Sequence, residues 1–412
     1  MNTEKIRDLY RSFVAPTYAP PSLALAEGRG AVVTDCDGRR YLDFIAGIGV
    51  LSVGHCHPRV VAAVREQAGR LMHVSNLYFT EPQARLAEKL VELSFDGQCF
   101  FCNSGAEAVE TLIKLARRWG NPRGRYEVVS MRNSFHGRTL ATLTATGQPK
   151  VQQGYAPLPP GFRYAEFNDI RSCREAVTEK TAAILVEPVQ GEGGVIPASV
   201  EFMQGLRRLC DEAGILLLLD EVQCGVGRTG KWFAYQHYGI IPDAMALAKG
   251  LGGGFPVGAV VIRRGIANTF QPGSHASTFG GSPLACAAAL ATLGVIEDAG
   301  LVDHAGRLGD RLRGLLESLA GRYPELVQEV RGRGLMLAVV LKRPAKPLEQ
   351  LLREKGLLCL ATAENALRFL PPLNVSVAEV EQAVRIIEQV LAEFRAEGKG
   401  SVPSNSRGEN EQ

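Results

Sequence analysis

No apolar run in this 412-residue sequence approaches the twenty or so residues of a membrane-spanning helix. The most apolar stretch, Ile215 to Leu219, has the length of a buried strand. Charge of one sign is equally scarce. Lys and Arg number 46 against 43 Asp and Glu, and no basic run or stripe marks a nucleic-acid partner. No apolar segment follows the opening Met-Asn-Thr-Glu-Lys-Ile-Arg-Asp, which argues against a signal peptide. Nine cysteines, an odd number without a secretory leader, suggest free thiols and a cytoplasmic setting. Metal-ligand spacing is also wanting. Cys99-Phe-Phe-Cys102 has no second pair at zinc-site distance and reads as two buried strand thiols, and His55-Cys56-His57-Pro58 reads as a turn before a helix, so no metal is expected.

What is present is an ordinary globular composition, 46% hydrophobic, in a chain long enough for two domains. Strand-length apolar runs alternate with amphipathic helix-length segments. The strands are expected at 98–102, 127–131, 182–186, 215–220 and 257–262, and the helices at 106–119, 202–213 and 283–298. That alternation predicts an α/β fold with a mostly parallel sheet covered by helices. Asp37-Gly38 predicts a hairpin turn within 31–44. Beyond residue 300 the pattern becomes helix (302–323), strands (335–341, 366–369) and a last helix (377–396). The expected organisation is a large domain over 46–297 and a small α+β domain from 1–45 and 298–396. The polar tail, 397–412, is expected to be disordered. No internal repeat is visible.

Two residues open the chemical reading. Asp220 ends the strand Leu217-Leu218-Leu219, where ligands of open α/β sheets bind; a turn cap is the competing reading. Lys249 sits in Ala246-Leu-Ala-Lys249-Gly-Leu-Gly-Gly-Gly254, where partial desolvation would depress its pKa; a surface lysine in a loop is the alternative. Together they match pyridoxal 5'-phosphate chemistry, which needs an acid to keep a ring nitrogen protonated and a lysine amine to capture an aldehyde. Asn103-Ser104-Gly105-Ala106-Glu107 follows a strand and opens a helix, a ready anion site or simply a capped helix. His275-Ala-Ser277-Thr278-Phe-Gly-Gly281 offers further hydroxyls before the next helix.

With Ser134-Phe-His-Gly-Arg-Thr139, Glu187-Pro-Val-Gln-Gly-Glu-Gly-Gly194, Asp220-Glu-Val-Gln223, Gly227-Arg-Thr-Gly230 and Ala248-Lys249-Gly250, the chain resembles the class III, ω-amino-acid aminotransferases. Gly54-His-Cys-His-Pro58 and Ser75-Asn-Leu-Tyr78 extend the likeness, which runs from about 18 to 395. Within that group it is most similar to the acetylornithine aminotransferases. The resemblance implies fold type I with a seven-stranded, mostly parallel sheet, and a homodimer with active sites at the subunit interface. It implies that Lys249 holds pyridoxal 5'-phosphate and moves the proton, that Asp220 pairs with the ring nitrogen, and that Gln223 lies near the ring hydroxyl. Phe135 would stack on the ring, Glu221 and Val222 would flank it, and Ser104, Gly105 and Ala106 would hold the phosphate, with Thr278 reaching it from the partner subunit.

For substrate, the resemblance implies that Arg138 and Arg368 bind carboxylates, that Ser277 lies near an acylated substrate, and that Glu192 can mask Arg368. A ping-pong enzyme needs such a mask, because glutamate brings a carboxylate beside its amine while N2-acetylornithine brings a bare methylene. The resemblance also distinguishes relatives. Ornithine aminotransferases usually carry a tyrosine where this chain has Ile48, which suits an acyl group better than a charged amine. Succinyldiaminopimelate, succinylornithine, ornithine and 4-aminobutyrate remain alternative donors, and an aminomutase is the alternative of another class.

Overall fold

The protein was analysed as a computed structural model that describes residues 1–399. Seven strands form the large sheet: β1 (Gly97–Cys102), β2 (Glu127–Met131), β3 (Phe162–Ala165), β4 (Thr181–Val186), β5 (Leu216–Asp220), β6 (Ala244–Leu247) and β7 (Gly258–Arg263). Their spatial order is β1-β7-β6-β5-β4-β2-β3. Only β7 runs against its neighbours, so the sheet is mostly parallel, as the alternating pattern predicts. The fold is α/β.

Burial on both faces explains the apolar runs. Every residue of β4 and β5 is buried. Leu217 and Leu219 enter one core cluster, while Leu216 and Leu218 enter another on the opposite face, as the two-residue period of a strand requires. Helix α1 (Gly105–Gly120) covers the second face with Ala108, Val109, Leu112, Leu115 and Ala116. Each fully buried leucine there contributes roughly 2 kcal/mol.

Helix ends follow their caps rather than the first apolar residue. The Ser104 hydroxyl accepts from Glu107 N, so α1 begins at Gly105. Ser199 does the same for Phe202 N, moving the start of the helix expected at 202 to Val200. At its far end Gly214 takes a left-handed conformation (φ 60°) and Ile215 N still bonds Cys210 O, which delays β5 to Leu216. β3 and β6 were not legible. Ala244-Met-Ala-Leu247 contains no β-branched residue and is a strand because its neighbours demand one.

Outside the large sheet, strands Leu25–Arg29, Val32–Asp35 and Arg40–Asp43 form an antiparallel sheet, with the expected turn at Gly38 (φ 85°) and Val33 opposite Tyr41. Leu357–Leu358 joins it in parallel register with Leu42–Asp43, so both ends of the chain meet in one sheet. A second antiparallel sheet holds Val327–Arg333, Met336–Leu341, Leu360–Thr362 and Ala366–Phe369, backed by helix Leu301–Arg322, against which helix Val377–Lys399 packs. The last helix passes the expected limit at 396, and residues 400–412 of the expected disordered tail lie outside the described residues. Among the described residues, no single helix is long and apolar enough to cross a membrane.

Arg228 pins the large sheet to the C-terminal segment. Its side chain is 2% exposed, and its guanidinium donates to the carbonyls of Leu335 and Pro371 while its own carbonyl accepts from Leu335 N. Arg228→Met leaves those carbonyls without their donor. The expected cost is about 1–3 kcal/mol, read as a lower urea midpoint with an unchanged slope.

Candidate active site

All parallel strands of the large sheet end on one edge, and the chemistry-bearing loops leave from that edge. Asn103 and Ser104 follow β1, Phe135 to Arg138 follow β2, Glu187 follows β4, Asp220 ends β5, and Lys249 lies two residues past β6. A cavity of about 450 Å³ collects them, lined also by Val222, Gln223 and Glu192.

Asp220 is 5% exposed. Its Oδ1 accepts from Val222 N at 3.0 Å and its Oδ2 meets His136 Nδ1 at 2.8 Å. His136 is itself buried, and its Nε2 has no partner among the described residues. Glu187, 6% exposed, accepts from Phe135 N at 3.0 Å and Gly191 N at 3.4 Å. Burial pushes its carboxyl up to about 7, with His136 opposing the shift and Asp220 adding to it. Neither His136 nor Glu187 was singled out from the sequence. Both sit inside recognisable motifs, but a single His or Glu carries no sign of burial until the fold encloses it.

Lys249 stands at φ +31°, a left-handed value rarely adopted by a side-chain-bearing residue. It lines the cavity, and its amine is buried among the charges of Glu192, Arg368, Asp220 and Glu187. Burial lowers its pKa from the ordinary lysine value, Glu192 opposes this and Arg368 adds to it. The amine makes no hydrogen bond to protein among the described residues, which leaves it available as a nucleophile.

At the N-terminus of α1 the N–H groups of Gly105 and Ala106 have no acceptor among the described residues, because the Ser104 hydroxyl takes that of Glu107. A Cβ on Gly105 would stand 2.7 Å from Val222 Cγ1, so only glycine fits against this wall. Phe135 lines the cavity, with the exposed Arg138 guanidinium 5.6 Å from its ring centre at the mouth. This donor set fits pyridoxal 5'-phosphate: open amides at a helix N-terminus for the phosphate, a buried carboxylate for the ring nitrogen, an aromatic face and an unpartnered amine.

Arg368 projects from the strand Ala366–Phe369 and is 1% exposed. Its Nη1 donates to Glu192 Oε1 at 2.6 Å and to Gln223 Oε1 at 3.2 Å, while Nε and Nη2 are buried without partners among the described residues. The geometry brings Gln223 to Arg368, a contact absent from the sequence-based expectation.

Four expected site residues lie outside the cavity wall: Arg368, bonded to the wall residues Glu192 and Gln223, and Glu221, Ser277 and Thr278. Glu221 needs correction: its carboxylate is fully buried, accepts from Ala234 N and Tyr235 N at 2.7 Å each, and is pushed by burial up to about 7. Asp220 faces the cavity and Glu221, the next residue, turns the other way to tether the 233–235 segment. Ser277 accepts from Asn103 Nδ2 at 3.2 Å and from Gly280 N, holding its own loop, and Thr278 is exposed away from this chain's cavity. The thiols of Cys99 and Cys102 lie on β1, pushed up to about 12 by burial.

Comparison with known proteins agrees with this geometry. Residues 13–391 match the family model described as aminotransferase class-III. The chain is 48% identical to the acetylornithine aminotransferase of Methanocaldococcus jannaschii, over 96% of this chain and 100% of that one. It is 51% identical to the acetylornithine aminotransferase of Gloeobacter violaceus, over 94% and 98%. Among solved structures, the ornithine aminotransferase of Toxoplasma gondii superposes with a TM-score of 0.92 at 34% identity, covering 96% of each chain. With the family model spanning most of its length and a matching cavity at its strand ends, the chain belongs to the class III aminotransferases.

Proposed function

We propose that this chain transfers the δ-amino group of N2-acetylornithine to 2-oxoglutarate, reversibly and by a ping-pong route, as in arginine biosynthesis. The observation that carries this reading is the 2.6 Å pair between Arg368 and Glu192. It supplies a masked cationic site of the kind two unlike amino donors require, and the curated relatives named above point to the same reaction.

Pyridoxal 5'-phosphate, when bound, supplies an aldehyde for amine capture and an electron-withdrawing ring. The protein's part is binding, orientation and proton handling. The amides of Gly105 and Ala106, with Ser104 beside them, would hold the cofactor's phosphate, Phe135 and Val222 would confine its ring, and Asp220, oriented by His136, would serve the ring nitrogen. Lys249 Nζ, with its lowered pKa, is the base that moves the substrate proton. Arg138 and the free donors of Arg368 orient carboxylates.

A specific observation favours a second reading, free ornithine: the solved structure compared above is an ornithine aminotransferase. Identity argues against it, since the two acetylornithine aminotransferases named above share 48 and 51% with this chain and that enzyme 34%. Ile48 in place of a tyrosine argues the same way.

The proposal includes a homodimer. Leu77, Tyr78, Phe79 and Phe279 form an exposed apolar surface, stitched by His73 against the Phe279 ring at 4.9 Å and by Asn76 donating to Ser277 O and Gly280 O. Burying that surface against a second copy would turn Thr278 toward the partner's cavity. Cytoplasmic residence is supported by nine free cysteines.

Three outcomes are expected. Mixed in turn with N2-acetylornithine, succinyldiaminopimelate, ornithine and 4-aminobutyrate, the holoenzyme should lose its cofactor absorbance band fastest with the first. Ornithine outpacing its acetyl derivative would overturn the substrate assignment. Glu192→Ala should raise the glutamate-to-acetylornithine ratio of half-reaction rates by about five- to a hundredfold, since leaving a buried donor unpaired costs about 1–3 kcal/mol; an unchanged ratio would remove the masking role. Phe79→Asp with Phe279→Asp should sediment as a monomer and lose phosphate-dependent cofactor retention, whereas a wild-type-sized particle would refute the interface.

A further inference from the structure

Glu187 has no role in the reaction as described above, yet it is a buried carboxylate on the cavity wall with two backbone donors from different loops. Its Oε2 takes the N–H of Phe135, in the loop after β2, and its Oε1 takes the N–H of Gly191, next to Glu192. We propose that Glu187 is a positioning residue: its carboxylate ties the loop of Phe135 to the loop of Glu192, and it slackens the second loop when it takes up a proton. This inference builds on the reading that Glu192 masks Arg368.

The local packing makes the strut consequential. A Cβ on Gly191 would stand 2.0 Å from Gln223 Oε1, so the Gly191 backbone lies directly against the amide that Arg368 also holds. Further along, Thr362 donates to Glu192 O at 2.8 Å and Arg331 Nε donates to Gly194 O at 2.7 Å. The loop is therefore anchored from the C-terminal sheet at residues 192 and 194, and from the large sheet at 191 through Glu187. A shift at Gly191 is transmitted to the Arg368–Glu192 pair through Gln223.

The chemistry of the carboxyl group supplies the switch. As a carboxylate it is acceptor-only and makes both bonds with charge assistance. Once protonated, one oxygen carries a hydrogen that faces an N–H, and both bonds lose their charge assistance. The 3.4 Å bond to Gly191 is longer than the 3.0 Å bond to Phe135 and yields first. The groups that act on this charge are His136 and Asp220 on either side, Cys224 and Lys249. Burial holds the group near 7, so the carboxylate form prevails above neutrality and the slackened form below it.

Hydrogen exchange on the wild-type holoenzyme tests this without any substitution. After correction for intrinsic exchange, protection of the 191–194 amides should hold steady above about pH 8 and fall below neutrality. The fall is by at most about tenfold per pH unit, the limit for one proton. Amides of β4, paired on both sides with β2 and β5, should keep their protection. Protection at 191–194 that follows β4 across the range would overturn the proposal. The second arm is Glu187→Gln. In the wild type, the ratio of half-reaction rates for N2-acetylornithine and glutamate should change through neutrality, and in the variant it should be flat, while Glu187→Asp restores a pH-dependent ratio. A variant ratio that tracks the wild-type profile would equally overturn it. Exchange needs no substrate, so failure there leaves the proposed reaction standing, and a holoenzyme inert to N2-acetylornithine removes the reaction while leaving the strut.

Discussion

Parallel strands can be joined only by crossovers, so the carboxyl ends of the parallel strands of the large sheet lie along one edge. Everything at the site depends on that constraint. Backbone pairing sets Leu219 against Val186 and Asp220 against Ala246, which places the starts of the loops after β4, β5 and β6 at strand spacings of about 4.8 Å. Asp220, Glu187 and Lys249 are thereby neighbours although they are far apart in sequence. The reversed strand β7 contributes from its beginning instead, through Val257 on the cavity wall. Arg368 comes from a different sheet, and the Arg228 tether between the two parts of the chain keeps that sheet in place.

The cavity gathers charges that would be costly singly. Asp220 has His136 and the Val222 amide, Glu187 has two amides, and Arg368 has Glu192 and Gln223. What remains buried and unmatched at the site, among the described residues, is specific: His136 Nε2 and two Arg368 donors. Backbone strain occurs in the same loops. Lys249, Asn133 before the Phe135 loop and Val195 at the end of the Glu192 loop all hold positive φ, each at a cost of order 1 kcal/mol. Open donors and strained backbone in one place mark a surface shaped for a ligand rather than for stability.

Strand and helix alternation was legible because β4 and β5 are buried on both faces and carry unbroken apolar runs, and the hairpin at Asp37-Gly38 was legible because its turn demands glycine. Asp220, Lys249 and the α1 N-terminus could be read from spacing and residue type. His136, Glu187 and the outward turn of Glu221 could not. Which of two adjacent carboxylates faces a cavity is decided by strand alternation and by the amides waiting on the far side, here those of Ala234 and Tyr235. The strand Ala244–Leu247 was hidden for a related reason, since tertiary pairing rather than propensity makes it a strand.

Substrate choice falls to very few of these groups. In the proposed reaction the sheet, the α1 amides and the Asp220–Lys249 pair would serve any amino donor, because they would act on the cofactor and the reacting amine. Discrimination has to come from groups beyond the amine. Arg368, buried with two free donors, favours a carboxylate strongly, since leaving it unpaired costs more than an apolar mismatch does. On the proposed reading, Glu192 at 2.6 Å removes that preference without removing the arginine. A single site can then accept a bare methylene in one half-reaction and a carboxylate in the other, provided the loop carrying Glu192 can move by the length of one hydrogen bond. On that reading the loop's anchors at Thr362, Arg331 and Glu187 belong to specificity as much as the side chains that meet the substrate.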